Sequence, residues 1–171
     1  MIKGENRLNS SDIKLAFYEE KYRERLCSYE LDDTQSVYTL MPSEAIARFA
    51  SNSYSDPVVM LLQQNPIGLF VLHDAKDALH DSEVEHTMLI RSLSVNPKYQ
   101  GNGFAQTAMC MLPQFVRVHY PHILELFSVV NLGNARAERV YLKAGYDYRG
   151  IKREGPDGAE KILHYTLKTR V

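Results

Sequence analysis

The chain is 171 residues long, 44% hydrophobic and 24% charged, with a formal net charge of −1. So even a balance gives no broad basic field, which argues against nucleic acid as the main partner. The polar start MIKGENRLNSSD lacks the apolar core of a signal peptide, and no apolar run nears the ~18 residues of a membrane helix. The expectation is one soluble cytoplasmic domain over residues 1–171, with Cys27 and Cys110 as reduced, partly buried thiols.

Residues 1–12 form a polar lead-in. Ile13–Tyr18 predicts a first strand, and the charged stretch to Leu31 predicts a helix, with Tyr22, Leu26 and Tyr29 at helical spacing, broken at Asp32-Asp33-Thr34. Pro42-Ser43-Glu44 opens a short helix through AIARFA. Asp56-Pro57 punctuates the chain, after which Val58–Gln63 and Ile67–His73 read as a hairpin turning at Asn65-Pro66. Residues 74–86 are a polar connector. His73, Asp74, His80 and Asp81 flank it, but without helical ligand spacing, a cysteine or a third clustered histidine they read as a solvated loop, not a metal site.

Thr87–Val95 (TMLIRSLSV) predicts the central strand, NPKYQGNG a tight glycine loop, and Phe104 the opening of a helix. Phe104, Ala108, Met111, Phe115 and Val118 form its apolar face, Pro113 predicts a kink or early stop, and Pro121 ends the segment. His122–Val130 is the next strand. Asn131 or Asn134 caps the following helix, whose apolar face is Ala137, Val140, Tyr141 and Ala144 and whose end is Gly145. Tyr146–Ile151 and Lys161–Leu167 predict a last strand pair, joined by a loop containing Gly155-Pro156-Asp157-Gly158. The fold class is α+β (mixed α/β).

A strand that enters glycines and leaves as a helix makes an anion site, because helix-start N–H groups lack partners and the dipole adds positive charge. Gly101 and Gly103 let the backbone approach a phosphate. A Rossmann fingerprint would need a third glycine at Gln106, and a Walker loop would need Gly-Lys-Ser/Thr; neither is present. Gln100, Gly103 and Ala105 fit Q/R-x-x-G-x-G/A, and Asn134, Ala137, Tyr141, Lys143 and Gly145 fit N-x-x-A-x-x-x-Y-x-K-x-G. In these two motifs, over roughly Thr87 to Tyr148, the chain resembles the GCN5-related N-acetyltransferases (GNAT superfamily).

The resemblance implies a mostly antiparallel sheet of about seven strands flanked by helices, its central pair splayed. It implies acetyl-CoA as co-substrate, with Gln100, Gly101, Asn102, Gly103, Phe104 and Ala105 around the diphosphate and Leu93 and Val95 as backbone partners of pantetheine. The family often carries a basic residue between the loop glycines; here Asn102 stands there. Asn134 and Lys143 are further cofactor contacts, and Lys98 and Arg136 lie where phosphates are in reach. Tyr141 is the expected proton donor to the leaving thiolate.

Family members often place a carboxylate on the strand before the loop, where Arg91 and Ser92 stand here. The general base therefore stays open among Glu125, Glu85, Glu19, Glu20 and a water relay. The acceptor is expected to be a primary amine of a small molecule or peptide, in a groove built from residues 20–55 and the last strands. Acids and tyrosines of the first helical region (Tyr18, Glu19, Glu20, Tyr22, Tyr29, Glu30) suit a cationic amine, or equally an ordinary amphipathic surface. A homodimer is compatible with the resemblance, and the alternative function is a non-catalytic acyl-CoA-binding module of the same fold.

Overall fold

The structure, a computed structural model, describes residues 9–79 and 84–167. The first eight residues of the polar lead-in and the His80–Asp81 part of the connector lie outside the described residues. Seven strands form one sheet in the order β1-β2-β3-β4-β5-β7-β6. They are β1 (Ile13–Phe17), β2 (Ser55–Leu62), β3 (Asn65–Asp74), β4 (Thr87–Val95), β5 (Glu125–Asn131), β6 (Asp147–Gly155) and β7 (Gly158–Thr166). Every neighbouring pair is antiparallel except β4 and β5.

Helices α5 (Phe104–His119) and α6 (Ala135–Lys143) cover one face of the sheet, burying Met60, Phe70, Ile90, Leu126 and Leu163 beneath them. The other face carries α1 (Arg23–Leu26) and α3 (Pro42–Phe49), whose Leu26, Ile46 and Phe49 close over Val59, Leu69 and Val71. Strands β2 and β3 are therefore apolar on both faces, which explains their near-continuous hydrophobic runs. Two short helices complete the fold: α2 (Asp33–Ser36) and α4 (Ala75–Leu79).

Several local expectations are corrected. The first helix ends at Leu26 rather than Leu31, because Tyr29 turns inward and its hydroxyl meets Ser94 Oγ at 3.0 Å in the interior. Asp32 starts a helix instead of breaking one: its carboxylate accepts from the Gln35 N–H at 3.0 Å and caps α2. The β2–β3 hairpin turns at Gln63-Gln64, with φ of 49° and 70°, and not at Asn65-Pro66. Two successive left-handed residues give the type I′ turn whose twist matches a two-residue hairpin. Strand β2 begins before Pro57, a residue just beyond the end of the β1 ladder, where a missing donor is tolerated.

Helix α5 runs through Pro113 to His119. Losing the bond to the Met109 carbonyl costs about 3 kcal/mol. Burial of Leu112 and Val116 on either side returns roughly 1.5–3 kcal/mol each, enough to carry the helix onward. Of the expected apolar face, Phe104 and Ala108 are buried and Met111 and Phe115 pack partly buried against the core, with Leu112 and Val116 completing the buried side, whereas Val118 is 62% exposed. Both cysteines are exposed, contrary to the expectation of partial burial. Among the described residues, no helix is long and apolar enough to cross a membrane.

Candidate active site

Strands β4 and β5 pair only from Thr87–Glu125 to Ile90–Ser128. Beyond that point β4 stays on β3 and β5 stays on β7, so the sheet opens between them. The cause is local. The β3–β4 register shifts so that Ser92 and Leu93 together oppose Phe70, with Ser92 at φ 54°. Such a bulge bends its strand and sharpens its twist. Pairing then resumes with Leu69–Ser94 and Gly68–Val95. At Gly68 a Cβ would stand 2.4 Å from the Ser94 carbonyl oxygen and 2.6 Å from Met60 Cε, so the close approach of strands beside the bulge requires glycine.

The loop that follows β4 is built by short polar ties. Asn96 Oδ1 accepts from the Lys98 N–H, and Asn102 Nδ2 donates to the carbonyls of Tyr99 and Gln100. Gln100 is more heavily used: Nε2 donates to the Val95 carbonyl at 2.7 Å, its amide pairs reciprocally with that of Gln35 at 3.0 Å, and Oε1 also accepts from Arg136 at 3.1 Å. Gly101 and Gly103 both have φ of 79°, and a Cβ on either would meet no protein atom within 4 Å. Their requirement is therefore conformational, and the space in front of them is open. Gly103 caps α5 without a side-chain bond, which leaves the first-turn N–H groups free to face an anion.

A cavity of about 620 Å³ lies over this loop. It takes in Leu93, Val95, Gln100, Gly101, Gly103, Phe104, Ala105, Asn134 and Lys143, all of them expected contacts. Arg136 joins them, and so does Arg139, which completes an i, i+3, i+7 row on α6. Three cations and a helix start thus converge on one side of the loop, a match for a diphosphate. Lys98 is absent from this lining and lies over the Tyr99 ring. Asn102 turns its side chain back onto the loop. Asn134 caps α6 as expected, its Oδ1 accepting from the Ala137 N–H at 3.1 Å, and the residue also lines the cavity.

A second cavity, of about 520 Å³, lies on the other side of the sheet opening and shares Tyr38, Thr39, Leu93, Asn134 and Ala137 with the first. Tyr141 belongs here. It is 3% exposed, stacks edge-on against Tyr146, and lies beside Ser128. Burial pushes its phenol up to about 12, the Ser128 hydrogen bond pulling weakly the other way. The segment 34–39 spans the junction: Gln35 holds Gln100, and the Tyr38 hydroxyl packs so close to Gly133 that a Cβ there would lie 2.6 Å from it. The Thr39 hydroxyl is buried at this junction with no hydrogen-bond partner, the condition of a group awaiting a ligand or water.

The carboxylates proposed as bases are not brought to this junction. Glu125 begins β5, at the closed end of the β4–β5 pair, where it binds Arg149 at 2.6 Å and His164 at 2.8 Å and lines neither cavity. Glu19 and Glu20 pair with Lys21 and Arg23 on the surface, and Glu85 with Lys76. The acids of the first helical region thus form an ordinary solvated face. Among the described residues no cluster of metal-ligating side chains occurs, and His73 instead gives Nε2 to Asp77 at 2.7 Å.

The comparisons with known proteins agree with this geometry. Residues 17–146 match the model of the acetyltransferase (GNAT) family. The chain is 35% identical over 159 residues to an uncharacterized N-acetyltransferase, YbbJ, of Bacillus subtilis (strain 168), covering 92% of this chain and 99% of that protein. Among solved structures it resembles an aminoglycoside acetyltransferase, AAC(6')-Ib, in complex with ribostamycin and coenzyme A (TM-score 0.72, 19% identity, 91% and 93% of the two chains). It also resembles spermidine N-acetyltransferase from Vibrio cholerae in complex with CoA and spermine (TM-score 0.62, 17% identity, 92% and 96%).

Proposed function

The chain belongs to the acetyltransferase (GNAT) family, and from that premise we propose that it moves an acetyl group from acetyl-CoA to a primary amine of a small molecule or peptide, by direct attack of the amine on the thioester. The observation that carries this reading is the junction of two cavities at the opening between β4 and β5, with the diphosphate-type loop in one and a buried phenol in the other. Acetyl-CoA supplies the activated acyl group. The N–H groups opening α5, with Arg136, Arg139 and Lys143, hold its diphosphate, and the unpaired edge of β4 at Leu93–Val95 receives the pantetheine arm.

Tyr141 keeps its proton through the neutral range and hands it to the departing sulfur. An isolated thiol near pKa 8.5 is a poor match for a phenol at about 12. The same dry surroundings that raise the phenol also disfavour the thiolate, however, and so narrow the gap. On the acceptor side, deprotonating an alkylammonium of pKa ~10.4 at neutral pH costs about 4 kcal/mol. With Glu125 neutralised by Arg149 and His164, that proton leaves through water and not through a dedicated carboxylate.

Free thiol released from acetyl-CoA in the presence of a panel of primary amines tests the reading. Release that depends on both acetyl-CoA and an amine is the expected result. Acetyl-CoA binding with no release on any amine would leave only the non-catalytic acyl-CoA-binding module.

A further inference from the structure

The second cavity is lined by three arginines from three elements: Arg48 at the end of α3, Arg91 on β4 and Arg153 on β6. The acids on the same wall are Asp157 and Glu160, and Glu160 is taken by Arg153 at 2.7 Å. Arg48 and Arg91 have no such partner: among the described residues no carboxylate lies within ion-pair distance of either. Both lie over the ring of Phe49, at 5.4 Å and 4.9 Å from its centroid. Arg91 also donates to His73 Nδ1 at 3.4 Å, while Asp77 is engaged by the opposite nitrogen of that ring. Burial, and after it the charges of Arg48 and Arg153, bear down on the Arg91 guanidinium and lower its pKa.

Two guanidinium groups braced on one aromatic ring and repelling each other, Arg91 half-buried and Arg48 exposed, are a poor arrangement for stability and a good one for an oxyanion. Planar forks fixed by stacking meet carboxylate or phosphate in bidentate geometry. They would repel a polycation. We propose that the acceptor is an amine that also carries a carboxylate or phosphate group, with Arg48 and Arg91 holding the oxyanion so that the amine reaches the junction beside Tyr141. This rests on the acetyl-transfer reading above, and it distinguishes the chain from its structural neighbours crystallised with spermine or an aminoglycoside.

The test uses matched acceptors: β-alanine against β-alaninamide, phosphoethanolamine against ethanolamine, and spermidine as the polycation. Thiol release gives turnover, and calorimetric titration of each amine into the CoA-saturated protein gives binding independently. The expected result is about a ten- to hundredfold preference for the acidic member of a pair, the range of one charged hydrogen-bonded contact. The pair that shows it distinguishes carboxylate from phosphate. Arg48→Gln, at an exposed helix end, should erase that preference through KM while acetyl-CoA affinity stays within twofold; Arg91→Gln should do the same where it folds. Preference for ethanolamine, β-alaninamide or spermidine, or an unchanged preference in Arg48→Gln, overturns the proposal. Binding of acidic amines without turnover would instead sink the transfer reading and leave the arginine site standing.

Discussion

Replacing Gly103 by alanine separates two roles of one residue. Its φ of 79° puts any L side chain into the left-handed region, at a cost of about 1–2 kcal/mol. No protein atom lies within 4 Å of the new Cβ, so no clash adds to that. A domain of this size should therefore lose roughly 2–8 °C of Tm. Acetyl-CoA should suffer more, because the methyl group projects into the open space before the helix start. A helix-start contact is worth about 0.3–1 kcal/mol when exposed and more when enclosed. Displacing several together predicts an affinity loss of about ten- to a thousandfold, since each 1.4 kcal/mol is tenfold. Calorimetry of acetyl-CoA binding beside a thermal melt reads both numbers. A Gly103→Ala protein that melts a few degrees lower yet binds acetyl-CoA as tightly as the parent would refute the reasoning.

Gly68→Ala should be a pure stability lesion: a Cβ 2.4 Å from the Ser94 carbonyl cannot be accommodated by a rotamer change, and a loss of about 2–3 kcal/mol in denaturant unfolding is expected, against which a parental midpoint would count. Glu125→Gln should leave kcat within about twofold, because its carboxylate is spent on Arg149 and His164, and should cost stability on the order of 1 kcal/mol; a hundredfold fall in kcat would restore it as the base. For Tyr141 the folded phenol sits near 12 and the unfolded one near 10, so below pH ~10 both states hold the proton and stability is indifferent to this group. Between those values the unfolded chain alone releases it, and stability should fall with rising pH across that window. The kcat profile should accordingly show no limb from Tyr141 below about pH 11, a limb near neutrality being the contrary result.

Much of the glycine loop and of the cavity over it was legible from sequence. The strand, glycine loop and helix at Thr87–His119 are contiguous, so their chemistry is written locally, and Gly101, Gly103 and Asn134 fall where motif spacing puts them. Arg139 carried a readable signal, since it stands at helical spacing between Arg136 and Lys143 on the polar side of α6. Gln35 carried none: its amide partner is 65 positions away, and α2 is a helix of four residues with no apolar period. The same holds for the wall of the second cavity, where Arg48, Arg91 and Arg153 meet only through the packing of α3, β4 and β6. Glu125 shows the converse failing. Its place on the strand next to the loop strand was right, but parallel pairing puts the start of β5 at the closed end of the split. On α5 the expected apolar face holds from Phe104 to Phe115 and fails only at Val118, in the last turn, which is exposed.

In the proposed mechanism the buried phenol of Tyr141 acts beside a thioester where β4 and β5 part. Tyr141→Phe keeps the ring on the core and removes only the hydroxyl, so kcat measured with acetyl-CoA and a productive amine tests the claim most directly. A positioned acid is worth about 10²–10⁴ in rate, and kcat should fall within that range while the Kd for acetyl-CoA stays within about twofold. A variant that turns over at the parental rate with the same affinity would contradict it.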